Sequence, residues 1–434
     1  MATEAFIVLV LMLFAFLFSG TWISMTLFIV GYIGLNMYTR IPGFSLAGNV
    51  IWNQTSSQTM MALPLFIFMG EILVRSKVSE GAFKGLAPWV NRLPGKLLHV
   101  NIVACTFFAA VTGSVTATTA MVGNITLPEL LKKRSYDQKL TVGSLAVAGT
   151  LGIMIPPSMP MLIYGIISGV SIGQLFMAGI IPGIIMAVLF SGYIIVRCII
   201  NPSLAPETVE NFTWKDRIAG LPMLLPVIIL ILFVIGSIYS GWATPTEAAA
   251  VGSLGALLFA VYNRALNWQA LKDALLTTVT TTCMIMLIVC GAAFFSAVCG
   301  FIGIPRALAR TIAQYDIGPY TLLFIVSIFY IILGLSLDGF SMIVMSVPLI
   351  LPIMTAAGFD PLWFGIYLIV MVQISQVTPP VGFNLFLINN LTGISIFSVS
   401  RASVPFFSMM LVFIVLMTIF PSIVTFLPDL SFRR

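Results

Sequence analysis

The chain has 434 residues, of which 59% are hydrophobic and only 8% charged. A soluble domain averages about 25% charged residues, so this composition excludes a water-soluble globular protein and leaves an integral membrane protein. The net charge of +6 reads as Lys and Arg collecting on the cytoplasmic side of a bilayer, not as a nucleic-acid footprint.

In chain order, the apolar run 5–18 has no basic segment before it and reads as a mature first span, not as a secretion signal. Spans follow at 21–38 and 59–74, then an amphipathic stretch from Val78 to Val90. Residues 100–131 are too long for one crossing and too short for two, and they are interrupted at Thr112-Gly113-Ser114; this predicts a re-entrant hairpin. Residues 141–170 break at Pro156-Pro157. Two consecutive prolines each remove a backbone donor and clash with the preceding turn, so the helix should unwind there. A span at 173–196 closes the first half, and the longest polar connection runs from Arg197 to Gly220.

The second half repeats this order. Spans at 221–238, 242–262 and 275–299 lead to an amphipathic stretch from Ile304 to Tyr315. A second hairpin over 319–357 breaks at Gly334 to Gly339, and a second broken helix over 361–391 breaks at Thr378-Pro379-Pro380. A last span covers 403–427. The two hairpin breaks, and the two Pro-Pro pairs, lie about 220 residues apart. The domain reading is a first repeat over 1–198, a cytoplasmic connector over 199–220 and a second repeat over 221–434.

Charge orients the halves. Arg92, Lys96, Lys132, Lys133 and Arg134 flank the first hairpin, which should open to the cytoplasm; Asp316 and Asp360 flank the second, which should open outward. That topology leaves Arg40, Arg306, Arg310, Arg433 and Arg434 outside and the other basic residues inside. The expected fold is an all-α polytopic membrane protein of two inverted-topology repeats, with about ten spanning helices plus two re-entrant hairpins.

Interrupted helices expose carbonyls and amides at membrane depth, which is tolerable only inside protein or beside a cavity. Carbonyl and hydroxyl oxygens are hard ligands suited to Na⁺, and half-helix N-termini favour anions. One candidate ion site is Thr112, Gly113, Ser114 and Thr116 facing Gly152, Pro156 and Pro157; its mirror image is Gly334, Asp338 and Gly339 facing Thr378, Pro379 and Pro380. The bland reading is packing, because small residues let membrane helices approach closely. The paired placement of four breaks favours ion binding. Asp338 is either a charge beside a bound cation or an N-cap for the helix that follows. Glu247, three residues after Thr244, reads as a helix cap, and Glu71 as an i+4 partner of Arg75. His99 reads as an interface residue, and Cys283 and Cys290 as packing on one helix face.

At these motifs the sequence resembles the large membrane subunit of tripartite ATP-independent periplasmic (TRAP) transporters, over essentially the whole chain. The resemblance rests on Leu63 through Glu71, on Gly149-Thr-Leu-Gly-Ile-Met-Ile-Pro-Pro-Ser158 with Tyr164, and on Thr378-Pro-Pro-Val-Gly-Phe-Asn-Leu-Phe386. Pro245 through Gly252, Gly358-Phe-Asp-Pro361 and Phe364-Gly365 complete it. It implies an elevator-type importer of a small organic acid, with scaffold and transport regions, driven by two or more Na⁺ ions without an organic cofactor. It also implies two partners, a small four-helix membrane subunit and a periplasmic substrate-binding protein, and a place in the bacterial inner membrane. The sequence departs from the family at the first tip, where Thr112-Gly-Ser114 replaces Ser-Gly-Ser and Ala117-Thr118 replaces an Ala-Asp pair. The hydroxyl survives; an acidic charge does not. Two other classes compete: a stand-alone divalent-anion/Na⁺ symporter, whose hairpin tips favour Ser-Asn-Thr, and an intramembrane enzyme, which would need a nucleophile–base or metal constellation.

Overall fold

A computed structural model describes residues 2–76, 78–206, 213–315, 317–335, 337–378 and 382–432. Every regular element among them is helical. Helices α1 (Ala2–Phe18) and α2 (Ile23–Tyr38) lead to α3 (Gly43–Thr55), then α4 (Ala62–Arg75) and α5 (Val78–Val90). The first hairpin is α6 (Leu98–Thr112) and α7 (Val115–Leu127), joined by two residues and packed on each other. The first broken helix is α8 (Gln138–Ala148) and α9 (Met159–Ser168), separated by a 3-10 turn over Gly149–Ile153 and the Pro-Pro segment. Then come α10 (Ile172–Ile200), α11 (Trp214–Tyr239), α12 (Pro245–Tyr262) and α13 (Trp268–Ile302). Helix α14 (Ile304–Gln314) precedes the second hairpin, α15 (Pro319–Gly334) and α16 (Gly339–Ala356). The second broken helix is α17 (Pro361–Val377) and α18 (Phe383–Thr392), followed by α19 (Ile396–Ile419) and α20 (Ser422–Phe432).

The order from α4 to α10 thus recurs from α13 to α19, and local chemistry repeats with it. Each broken helix starts on an aspartate N-cap: Asp137 accepts from Leu140 N at 2.7 Å and Asp360 from Trp363 N at 2.9 Å. Each ends on a left-handed glycine, Gly169 or Gly393. The next helix then starts on a serine N-cap, Ser171 or Ser395. Such punctuation sets element boundaries before any packing is considered.

Six helical segments are long and apolar enough to cross a bilayer unaided, or seven with α11. One of the six is α16, a hairpin limb. The others, with α11, the shorter apolar helices α1 and α2 and the two broken helices, are the candidates for the ten crossings expected from the sequence. The structure differs from the sequence reading in three places. Helix α3 was not expected; its polar residues Asn49, Asn53 and Gln54 gave it no span-like hydropathy. The expected span 403–427 starts earlier, at Ile396, and stops at Ile419, because Pro421 cannot continue the helix; α20 follows as a separate element. The connector is shorter than read from hydropathy, since a Thr213–Asp216 capping box starts α11 well before its apolar stretch.

The first hairpin, limb α16 of the second and helices α8, α9 and α17 are mostly buried, whereas α15 turns apolar side chains such as Phe324 and Ile332 outward. In α17 every residue from Trp363 to Val377 is buried, as expected for a helix apolar on all sides. Helices α2, α4, α11, α12 and α13 pack among themselves on one side, with many of their apolar side chains facing outward, such as Leu232 and Leu258.

Candidate functional site at the hairpin tips

The first tip is tight because its glycine has no side chain. Gly113 closes α6 in the left-handed region at φ 57°, and a Cβ there would lie 2.8 Å from the Pro157 carbonyl oxygen. Across the break, a Cβ on Gly152 would lie 2.7 Å from Ser114 O and 2.8 Å from Thr118 Oγ1. So Gly113 faces Pro157, and Ser114 faces Gly152. The Pro156–Pro157 bond is cis, and both residues are buried.

Oxygens accumulate at this junction. Thr112 Oγ1 and Thr118 Oγ1 are 2.6 Å apart, and Thr118 donates to Ser114 O at 2.7 Å. Ser114 Oγ and Thr116 Oγ1 are 3.0 Å apart, and Ser158 donates to Ile153 O at 2.6 Å. Thr118 therefore occupies the position where the resemblance expects an acid, and supplies a neutral hydroxyl instead.

The second tip meets its own break in the same manner. A Cβ on Gly334 would collide with the Ser375 side chain, and one on Gly339 would lie 2.6 Å from Val372 Cγ1 and 3.2 Å from Gln376 Nε2. Asp338 is the N-cap of α16: it accepts from Phe340 N at 3.1 Å and from the Ser341 hydroxyl. Thr378 donates to Ile374 O at 2.6 Å. Pro379 and Pro380, named from the sequence, lie outside the described residues. Ser375 and Ser341 are site residues that the sequence reading missed, because single serines in apolar helices are common.

The two tips share one space. A cavity of about 480 Å³ is lined by Ser114 and Thr116 from the first tip, Asp338, Gly339 and Ser341 from the second, and Gln376 from the second broken helix. Met284 and Ile288 of α13 form its opposite wall. Both tips open onto this single chamber, with Asp338 its one carboxylate among the described lining residues. Polar groups from several elements converging in an otherwise apolar chamber are the usual make-up of a small-molecule site.

The broken helices also hold each other. Gln373 of α17 donates to Thr150 O in the first break at 2.9 Å, and Asn384 of α18 donates to Ala146 O in α8. Both side chains are fully buried. Tyr164 of α9 donates to Pro361 O at the start of α17 at 2.6 Å. Carbonyls in and beside the first break are thus satisfied by side-chain amides of the second broken helix, which is how irregular backbone persists at membrane depth. Amides inside apolar runs, 373 and 384, were the available signal for this lock.

Other expectations sort plainly. Glu247 forms the reciprocal capping box with Thr244, and Arg75 pairs with Glu71. His99 is buried, its Nε2 2.8 Å from Pro94 O. Cys290 is buried but Cys283 is exposed, so the two do not share a packing environment. At the hairpin exit, Lys133 at 2.8 Å and Arg134 at 3.0 Å hold the Glu129 carboxyl below the usual carboxylate range. Among the described residues no three His, Cys, Asp or Glu side chains converge as metal ligands. Around the tips the polar atoms are mostly neutral hydroxyl and carbonyl oxygens, which are hard donors.

Residues 10–423 match the family model described as "Tripartite ATP-independent periplasmic transporter, DctM component". The chain is 32% identical to the C4-dicarboxylate TRAP transporter large permease protein DctM of Pseudomonas aeruginosa, covering 87% of this chain and 88% of that one. It is 30% identical to the sialic acid TRAP transporter large permease protein SiaM of Vibrio cholerae, over 95% and 96%. It is 33% identical to the ectoine/5-hydroxyectoine large permease protein UehC of Ruegeria pomeroyi, over 87% of each. Among solved structures, the YdaH transporter of Alcanivorax borkumensis superposes with a TM-score of 0.52 at 14% identity, over 83% of this chain and 85% of that one. That likeness is one of fold.

Proposed function

Because the chain belongs to the DctM component family of tripartite ATP-independent periplasmic transporters, we propose that it is the large inner-membrane permease of a Na⁺-coupled importer for a small organic acid. The acid is delivered by a periplasmic binding protein, and a small four-helix subunit completes the membrane complex. The observation that carries the reading is the shared chamber, where both hairpin tips meet. Na⁺ held by the oxygens around Thr112 to Thr118 and Gly152 to Pro157, and around Gly334 to Gly339 and Thr378, would charge the first tip positively and neutralise Asp338 at the second. An anionic substrate between them would then bind only after the ions, which couples the two fluxes. The chamber's opposite wall is α13, so an elevator movement would carry both tips past Met284 and Ile288.

Relatives named for C4-dicarboxylates, sialic acid and ectoines make those three the first probes. The chain, its small subunit and its binding protein are reconstituted in liposomes, and uptake is followed with and without an inward Na⁺ gradient. Uptake is expected only with the gradient and only with the binding protein. Uptake indifferent to Na⁺ would overturn the coupling; uptake by the chain alone would favour the stand-alone symporter.

A further inference from the structure

We propose that the junction of α5 and α11 is a binding site for the phosphodiester headgroup of an anionic phospholipid. The chemistry begins with a buried charge. Arg217, in the first turn of α11, is only 4% exposed. Its Nε donates to Pro88 O of α5 at 3.1 Å, and its guanidinium carbon lies 4.9 Å from the centre of the Trp214 ring. No carboxylate among the described residues comes within ion-pair distance of it.

A second cation sits on the same ring. The guanidinium of Arg92, exposed in the turn that follows α5, lies 5.7 Å from the Trp214 centre, again without an acidic partner among the described residues. Trp89 meets Trp214 edge-to-face at 6.5 Å. Two guanidiniums on one indole repel each other, and cation–π contact offsets only part of the cost of burying one of them. An anion placed between the two arginines would remove the conflict.

The location selects the anion. Trp214 opens a membrane-crossing helix, and both tryptophans are partly exposed, at 62% and 43%; such pairs mark the headgroup layer. A phosphate group there is at high local concentration, and arginine binds it through two parallel N–H bonds. Helix α5 also packs on both limbs of the first hairpin. A headgroup held here would tie that hairpin's arm to α11, where Gly85 and Gly220 bring the two backbones together (a Cβ on Gly85 would lie 2.9 Å from Gly220 O).

The test uses the full chain, purified and then exchanged into mixed micelles carrying phosphatidylglycerol or phosphatidylcholine. Bound lipid is counted by native mass spectrometry for the parent, Arg92→Gln, Arg217→Gln and Trp214→Phe. The parent is expected to retain phosphatidylglycerol over phosphatidylcholine, and each lost arginine should weaken that preference about five-fold. Arg92→Gln changes an exposed side chain, so it tests the site even if Arg217→Gln folds poorly. Equal retention of both lipids by the parent, or undiminished preference in Arg92→Gln, would overturn the proposal. So would displacement of the lipid by excess inorganic phosphate, which would assign a free anion. Variants that keep phosphatidylglycerol but no longer bind the small membrane subunit would assign the patch to a protein partner instead.

Discussion

The N-cap role of Asp338 and the proposed cation role can be separated by a single substitution. As N-cap it accepts from Phe340 N, which asparagine does about as well. As the carboxylate of the chamber, it supplies a full negative charge that asparagine lacks. Asp338→Asn is therefore expected to leave thermal stability within about 1 kcal/mol of the parent while raising the Na⁺ concentration for half-maximal uptake by about ten-fold or more. Unchanged Na⁺ dependence would leave capping as the residue's whole job. Thr118 shows the converse economy: a hydroxyl bonded to Ser114 O and Thr112 holds the first tip without a charge, so negative charge is concentrated on the second tip.

At the scale of the element, the question is what keeps a hairpin tip seated in a break. Gly113 and Gly169 both adopt left-handed backbone, at φ 57° and 75°, so alanine at either meets the same intrinsic penalty, about 1 kcal/mol. Only Gly113 is crowded, by Pro157 O; around Gly169 nothing lies within 4 Å. Gly169→Ala should therefore lower the unfolding temperature slightly and preserve uptake. Gly113→Ala must push the first hairpin off the broken helix and is expected to abolish uptake, with a stability loss about 1–3 kcal/mol larger. Equal behaviour of the two variants in unfolding and uptake assays would show that the contact at Pro157 is not what seats the tip.

For the whole molecule, the chamber wall is informative. Val115 of the first hairpin and Ile288 of α13 line the same cavity, and an elevator requires them to separate. In a background with exposed Cys283 replaced by alanine, cysteines at 115 and 288 joined by a short, cleavable thiol linker should reduce uptake by about ten-fold or more, with recovery on cleavage. Full transport by the linked protein would rule out relative movement of hairpin and scaffold. The two bonds from Gln373 and Asn384 to the first broken helix make the opposite expectation for the two broken helices, which should move as one body.

The class, both hairpins and both broken helices were legible in the chain itself, because proline pairs, aspartate and serine caps and left-handed glycines act on their own neighbours. The sequence also marked Thr112 to Thr116, Gly152, Gly334, Asp338 and Gly339, since small and polar residues in apolar runs stand out without any fold. Helix α3 escaped for the complementary reason: its sequence has no span-like hydropathy, and packing on α13 holds it. Tertiary contacts alone bring the two tips to one chamber, join Gln373 and Asn384 to the first broken helix, and bury Arg217 with no acid at ion-pair distance among the described residues. Those are contacts between residues far apart in sequence, and local patterns of polarity and backbone preference carry no record of them.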